Sequence, residues 1–271
     1  MLNKILFIVL FIFTSVYSQS ILIQPSTYFT YGNYSDKTIS RQYSLFLGGS
    51  IGQSNFLVSG YDLIQLKNEL WRYEQSNLSF GIHYWITDWK LKLKTDFLLI
   101  KGKYTDDFLF KPLTDNGSLI SPEIVYGVYP LHYGLGASYF LQNGNYKTNS
   151  SQFYLRMDYY PHYKFLITLI PSFHLISDSS KYLSLQTSLT YFPFYELSIN
   201  STFTIGARKF YYNPDLMVLF NQLETQLSNY SLRINYNFYK NLVASLIYQK
   251  SKFSSYKIDY FVIGIRSSIY F

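Results

Sequence analysis

The chain has 271 residues, 48% of them apolar and only 14% charged, with 30 Tyr and 23 Phe giving an aromatic share of 21%. That aromatic content excludes disorder. No segment after the first 20 residues approaches the roughly 18 to 20 uninterrupted apolar residues that a spanning helix requires, so a helical membrane bundle is excluded too. Tyr, Phe, Ile, Ser and Thr dominate, the composition of strands, and the mean hydropathy is −0.01.

Residues 1–18 read as a secretory signal peptide: Lys4, the apolar run Ile5 to Phe13, and small or medium residues Val16 and Ser18 before a cleavage point. Its removal takes one base from a formal charge of +7. The exported remainder, 19–271, reads as one domain. It contains no Cys, so it must be stable outside the cell without disulfides. A closed barrel held by its hydrogen-bond ladder satisfies that requirement.

From residue 20 onward the dominant signal is alternation of apolar and polar residues, the pattern of strands whose faces meet different surroundings. Predicted strands follow in chain order at 26–32, 41–51, 55–66, 69–86 and 89–102. In the last of these, Trp89, Leu91, Leu93 and Phe97 oppose Lys90, Lys92, Lys94 and Asp96. Further strands follow at 121–129, 132–142, 151–160, 163–176 and 181–192. In 151–160, Phe153, Leu155, Met157 and Tyr159 oppose Tyr154, Arg156, Asp158 and Tyr160. The series ends with 195–207, 223–238, 241–251 and 255–271. The count is 14, with 12 as the alternative if the first two strands fail. Tight turns are expected at Gly52-Gln53-Ser54, Thr87-Asp88, Pro130-Leu131, Pro161-His162, Pro193-Phe194 and Lys240-Asn241. Longer links alternate with them, the longest at 102–120 and 208–222.

Segments of roughly 9 to 14 residues match a tilted transmembrane strand better than the 5 or 6 of a soluble sandwich. Aromatic residues gather at segment ends, as at Tyr84-Trp85 with Trp89 and Tyr191-Phe192 with Phe194-Tyr195, where membrane interfaces place their girdles. The expected fold is therefore all-β, a transmembrane antiparallel up-and-down barrel with lipid outside and polar side chains within.

In the last segment, Phe261, Ile263, Ile265, Ile269 and Phe271 share one face and the chain stops on an aromatic residue. This resembles the C-terminal strand of bacterial outer-membrane β-barrel proteins. The resemblance implies that Ile263, Ile265, Ile269 and Phe271 form the signal read by the barrel assembly machinery, and that the protein resides in the outer membrane of a Gram-negative cell. Gln19 after the leader and the Tyr-rich strands are similar to barrels of the Bacteroidota.

With apolar faces on lipid, the pore-lining candidates are Lys90, Lys92, Lys94, Asp96, Arg156, Asp158, Glu196, Arg208, Arg233 and Arg266, with Lys164 beside them. Bases outnumber acids, so a conducting pore would favour anions modestly. Cross-strand pairing of these same charges is the competing role. Phe46, Trp85, Tyr129, Phe140, Tyr154, Tyr160 and Tyr182 are also expected inside. The leading function is a porin-like channel for small solutes. The rival readings are a non-conducting barrel subunit of an envelope or secretion assembly, with loops 102–120 and 208–222 as contact surfaces, and a lipid-modifying enzyme; the same two loops could equally fold inward as a constriction. His83, His132, His162 and His174 show no catalytic or metal-ligand spacing, and no cofactor is expected. Expected partners are the bilayer and lipopolysaccharide phosphates; scattered bases on an exported chain argue against nucleic acid.

Overall fold

The computed structural model describes residues 20–52, 54–106 and 111–271. The predicted leader lies outside the described residues. Among these residues the strands are β1 (Ile21–Tyr34), β2 (Ile39–Ile51), β3 (Asn55–Lys67), β4 (Trp71–Ile86), β5 (Leu91–Asp106), β6 (Leu113–Val128), β7 (Leu131–Gly144) and β8 (Thr148–His162). They continue as β9 (Phe165–Ile176), β10 (Lys181–Phe194), β11 (Leu197–Arg208), β12 (Tyr211–Asn213), β13 (Val218–Phe220), β14 (Gln226–Tyr239), β15 (Leu242–Phe253), β16 (Lys257–Ser267) and the short β17 (Ile269–Tyr270). Neighbours pair antiparallel around the whole circuit, and β16 returns to β1 from Ser26↔Arg266 to Tyr34↔Ile258. The wall thus has 14 long strands among the described residues and no free edge, so each long strand is paired on both sides, with breaks in the ladder only at local register shifts.

The first and last described strands meet in the same seam. After a break at Ser268, β17 pairs Leu22 with Tyr270, and the backbones of Ile21 and Phe271 exchange hydrogen bonds at 3.2 and 2.9 Å. The alternation is sorted as the sequence predicts. Leu183, Leu135 and Ile263 point outward at 70%, 61% and 62% exposure, while inward Asp96, Thr204 and Ser251 are sealed. Outward aromatic residues ring the end at which Ile21 and Phe271 meet: Trp89, Tyr129, Tyr163, Tyr195, Tyr239 and Phe271. The links at that end are short, at 52–54, 87–90, 129–130, 163–164, 195–196 and 240–241. We call it the turn end and the opposite one the loop end.

Two expected turns lie two residues later than the sequence places them. Pro161 and Pro193 do not turn the chain; each sits in a register shift, between Tyr159 and His162 in β8 and between Tyr191 and Phe194 in β10. Proline cannot donate to a ladder, and a bulge is the place in a strand where no donor is needed. The expected 102–120 loop is also shorter, because β5 runs to Asp106 and β6 starts at Leu113. Lys103, Thr114 and Asn116, inside the expected loop, are in the ladder, Lys103 opposite Thr114 and Asn116 opposite Lys101.

Close approach explains particular glycines. A Cβ on Gly136 would overlap the ring of Tyr154, which lies flat across β7 from the neighbouring strand, and one on Gly264 would overlap Tyr28. Each missing side chain leaves the space that an inward tyrosine occupies.

Candidate functional site: the lumen and its hairpin

The link between β11 and β14 does not project from the barrel. It folds into the lumen as a hairpin, β12 paired with β13 through Tyr211↔Phe220, Tyr212↔Leu219 and Asn213↔Val218. Tyr211 and Phe220 stack at 4.5 Å between ring centroids. An aromatic run, Phe210 to Tyr212, and an apolar run, Leu216 to Phe220, flank the turn residues Asn213-Pro214-Asp215, and a hairpin that apolar cannot stand alone in water. It buries Phe210, Tyr212 and Leu219 against Leu98, Ile100, Leu119, Phe140 and Ile176 of the wall. Inward apolar residues on β5, β6, β7 and β9 exist to receive it. The segment 208–222 is therefore largely an internal element, the inward-folding one of the two roles its sequence left open.

Polar contacts fix the hairpin in place. Gln152 clamps the backbone of Tyr212 on both sides: the Tyr212 N–H donates to its Oε1 at 2.9 Å, and its Nε2 donates to the Tyr212 carbonyl at 3.1 Å. The Tyr212 hydroxyl donates to Asp96 Oδ2 at 2.8 Å. Asp96 also pairs with Lys94 at 3.1 Å and lies 3.4 Å from His83, while the Lys94 ammonium donates to the Pro214 carbonyl. At the tip, Arg156 pairs with Asp215, holds Asp158 at 2.8 Å and faces Glu123 at 3.9 Å. Thr168 completes this set by donating to Asp158 at 2.7 Å. At the base of the hairpin, Arg208 donates to Gln226 at 2.6 Å and stacks 3.6 Å above the Tyr211 ring.

Because the hairpin leans on one wall, the other side of the lumen stays open. A cavity of about 1020 Å³ runs beside it, lined from Gln24, Gly48 and Arg266 near the turn end to Tyr34, Asp36 and Tyr256 at the loop end. Its wall comes mainly from β1 to β4 and β14 to β16, with the hairpin opposite. Apolar side chains face it along its length, Phe56, Val58 and Phe46 toward the turn end and Ile64 and Leu66 toward the loop end, with Asp62 between the two sets.

The ten charged candidates separate into three groups. Lys92, Lys94, Arg233 and Arg266 line the cavity. Asp96, Arg156, Asp158 and Arg208 hold the hairpin instead. Lys90 and Glu196 are exposed in the turns 87–90 and 195–196, where the strands have already ended; these two do not line the lumen. Tyr129, expected inside, is likewise turned out at 62% exposure. Phe46, Phe140, Tyr154 and Tyr182 do face inward, and Tyr160 packs edge-on to His132 at 5.6 Å.

Sequence reasoning missed the acids of the cavity. Asp36, Asp62, Asp115, Asp215 and Glu224 line it alongside the four bases, so the expected excess of bases is absent there. Asp36, Asp215 and Glu224 lie in links, where alternation carries no information about direction. Asp62 sat within a predicted strand whose inner face is otherwise apolar, a discordance that marks it as inward.

No catalytic arrangement assembles around the histidines among the described residues. His174 lies 3.2 Å from the Ser184 hydroxyl, but both are buried and His174 Nδ1 has no hydrogen-bond partner, so no acid orients the ring. Among the described residues, no group of three or more potential metal ligands is present.

No protein-family model and no curated protein matches the chain. Solved structures do. The protein described as "CymD monoaromatic hydrocarbon channel" superposes with a TM-score of 0.62 at 8% identity, over 93% of this chain and 89% of that one. The "TodX monoaromatic hydrocarbon channel deltaS2 mutant" gives 0.55 at 8% identity over the same shares. The likeness is one of fold. It places the chain's architecture, a closed antiparallel barrel of 14 strands, beside that of two channel proteins, and the lumen's contents are this chain's own.

Proposed function

We propose that the protein is a porin-like channel of a bacterial outer membrane, passing small solutes through the cavity between the hairpin and the β1 to β4 wall. The observation that carries this reading is the run of lining residues from Gln24 and Arg266 at one end to Tyr34 and Asp36 at the other. A barrel of this strand number has room for a passage once its interior is not filled by its own side chains. The apolar side chains along the path, Phe46, Phe56, Val58, Ile64 and Leu66, suit solutes with an apolar or aromatic body, and both fold neighbours are described as monoaromatic hydrocarbon channels.

Short turns characterise the periplasmic side of such barrels, so the turn end faces the periplasm and the loop end faces out. Exposed Lys67, Lys101, Lys103, Lys252 and Lys257 near the loop end suit lipopolysaccharide phosphates. Outward Ile263, Ile265, Ile269 and Phe271 on the closing strand support its reading by the assembly machinery. A cleaved leader at 1–18 and a Bacteroidota source rest on the sequence alone.

The bulk of the hairpin favours one competing reading, a barrel that conducts nothing and serves a larger envelope assembly. Planar-bilayer recording of the purified full chain separates the two. The channel reading expects discrete conductance steps, larger after residues 211–220 are replaced by a short Gly-Ser linker. Silence from both proteins, each verified as folded, would overturn it.

A further inference from the structure

Charge is not spread evenly along the cavity. Its loop end carries Asp36 in the link 35–38, Asp115 three residues into β6, and Glu224 just before β14; no lysine or arginine lines that half among the described residues. The middle and turn end carry Arg233 halfway along β14, Arg266 near the end of β16, and Lys92 at the start of β5. Among the described residues, none of these six makes an ion pair within 4.0 Å. The remaining lining charges are partnered: Lys94 with Asp96, and Asp215 with Arg156. Asp62 accepts from Gln42 at 3.2 Å.

The acidic end is also aromatic. Tyr34 packs on Tyr256 and Tyr260 at 5.5 and 6.3 Å, and Trp71 stacks on Tyr104 at 5.9 Å, all five lining the cavity. Carboxylates beside aromatic faces favour an ammonium group, through charge and through the ring quadrupole. Gln142 lines the cavity with Asp115 and Tyr146; it is 6% exposed, and its Oε1 accepts no hydrogen bond. A buried acceptor without a donor at this spot fits a ligand that brings N–H groups.

We propose that the passage selects small zwitterions with an aromatic or apolar body, their ammonium group received among Asp36, Asp115 and Glu224 and their acid group drawn to Arg233, Arg266 and Lys92. This deepens the channel reading and rests on it. In a narrow lumen with low-dielectric walls each cluster's field is focused along the axis. A simple anion is repelled at the loop end, and a simple cation is repelled at the turn end. A molecule carrying both charges finds a counter-charge at either end, and its body passes apolar side chains along the whole path, Ile64 and Leu66 in the loop-end half and Phe46, Val58 and Phe56 in the turn-end half.

Osmotic swelling of proteoliposomes holding the full chain tests this with three solutes of similar size: phenylalanine, the anion phenylpropionate and the cation trimethylphenylammonium. Phenylalanine is expected to enter faster than either ion by about tenfold, the lower end of what focused fields achieve. The triple variant Asp36→Asn, Asp115→Asn, Glu224→Gln should erase that advantage and slow the cation. The double variant Arg233→Gln, Arg266→Gln should erase it and slow the anion. Equal rates for the three solutes in the wild type, or unchanged ratios in both variants, would overturn the zwitterion proposal while leaving a channel in place. Absence of swelling with every solute, in protein shown to be folded, would overturn the channel reading and this proposal together.

Discussion

Arg156 carries more of the interior than any other single charge. It faces Glu123, Asp158 and Asp215 at once, joining β6, β8 and the hairpin tip. Replacing one partner of a buried ionic set leaves the others uncompensated, at a cost of about 3–5 kcal/mol. Arg156→Leu should therefore lower barrel stability by about that amount, measured by urea unfolding in lipid vesicles, whereas Asp215→Asn, at the partly exposed end of the set, should cost about 1 kcal/mol or less. Gly136→Val makes a different prediction. The added methyls overlap the Tyr154 ring, and overpacking of this kind costs about 1–3 kcal/mol; the heat-induced gel shift of the folded barrel should occur at a lower temperature. A paired Gly136→Val, Tyr154→Ala variant should recover part of that loss.

At the scale of elements, the inserted hairpin decides how much of the lumen is free. Its removal should enlarge unit conductance several-fold without unfolding the wall, since every long strand keeps both of its neighbours. Equal conductance with and without residues 211–220 would show that they do not constrict the path. The long strands were legible in the sequence because each has faces in different solvents, and two solvents impose a period of two. In β8 the predicted dyad holds in the structure, with Phe153, Leu155 and Tyr159 exposed and Tyr154 and Asp158 buried. The hairpin was not legible by the same rule. Its partners on the wall, Leu98, Ile100, Leu119 and Phe140, make both faces of their strands apolar, so Phe97-Leu98-Leu99-Ile100 reads as a plain hydrophobic run. That loss of alternation is the trace an internal element leaves on the wall it covers. Lys90 and Glu196 show the complementary limit, since a dyad pattern continued past the last ladder bond predicts a face where the chain has turned.

For the molecule as a whole, closure of β16 on β1 and the sorting of side chains between two surroundings are one physical statement: hydrocarbon wets the outside and water the inside. An outward position at mid-strand should reject charge. Leu189→Arg, midway along β10 and 44% exposed, is expected to cost about 2–4 kcal/mol in lipid, while its inward neighbour Ser188 accepts a hydrogen bond from Asn200 and lies beyond the reach of lipid. The chain has no Cys, so each engineered thiol is the sole labelling site. Nitroxides placed singly at Leu135, Leu183 and Ile263, and at Ser44, Asn235 and Gln249, allow the most direct measurement. Their collision rates with oxygen and with a water-soluble nickel chelate should divide the six sites cleanly in lipid vesicles: the first three relaxed mainly by oxygen, the second three mainly by the chelate. Chelate-dominated relaxation at Leu135, Leu183 and Ile263 would contradict the account, because it would put water where the barrel requires acyl chains.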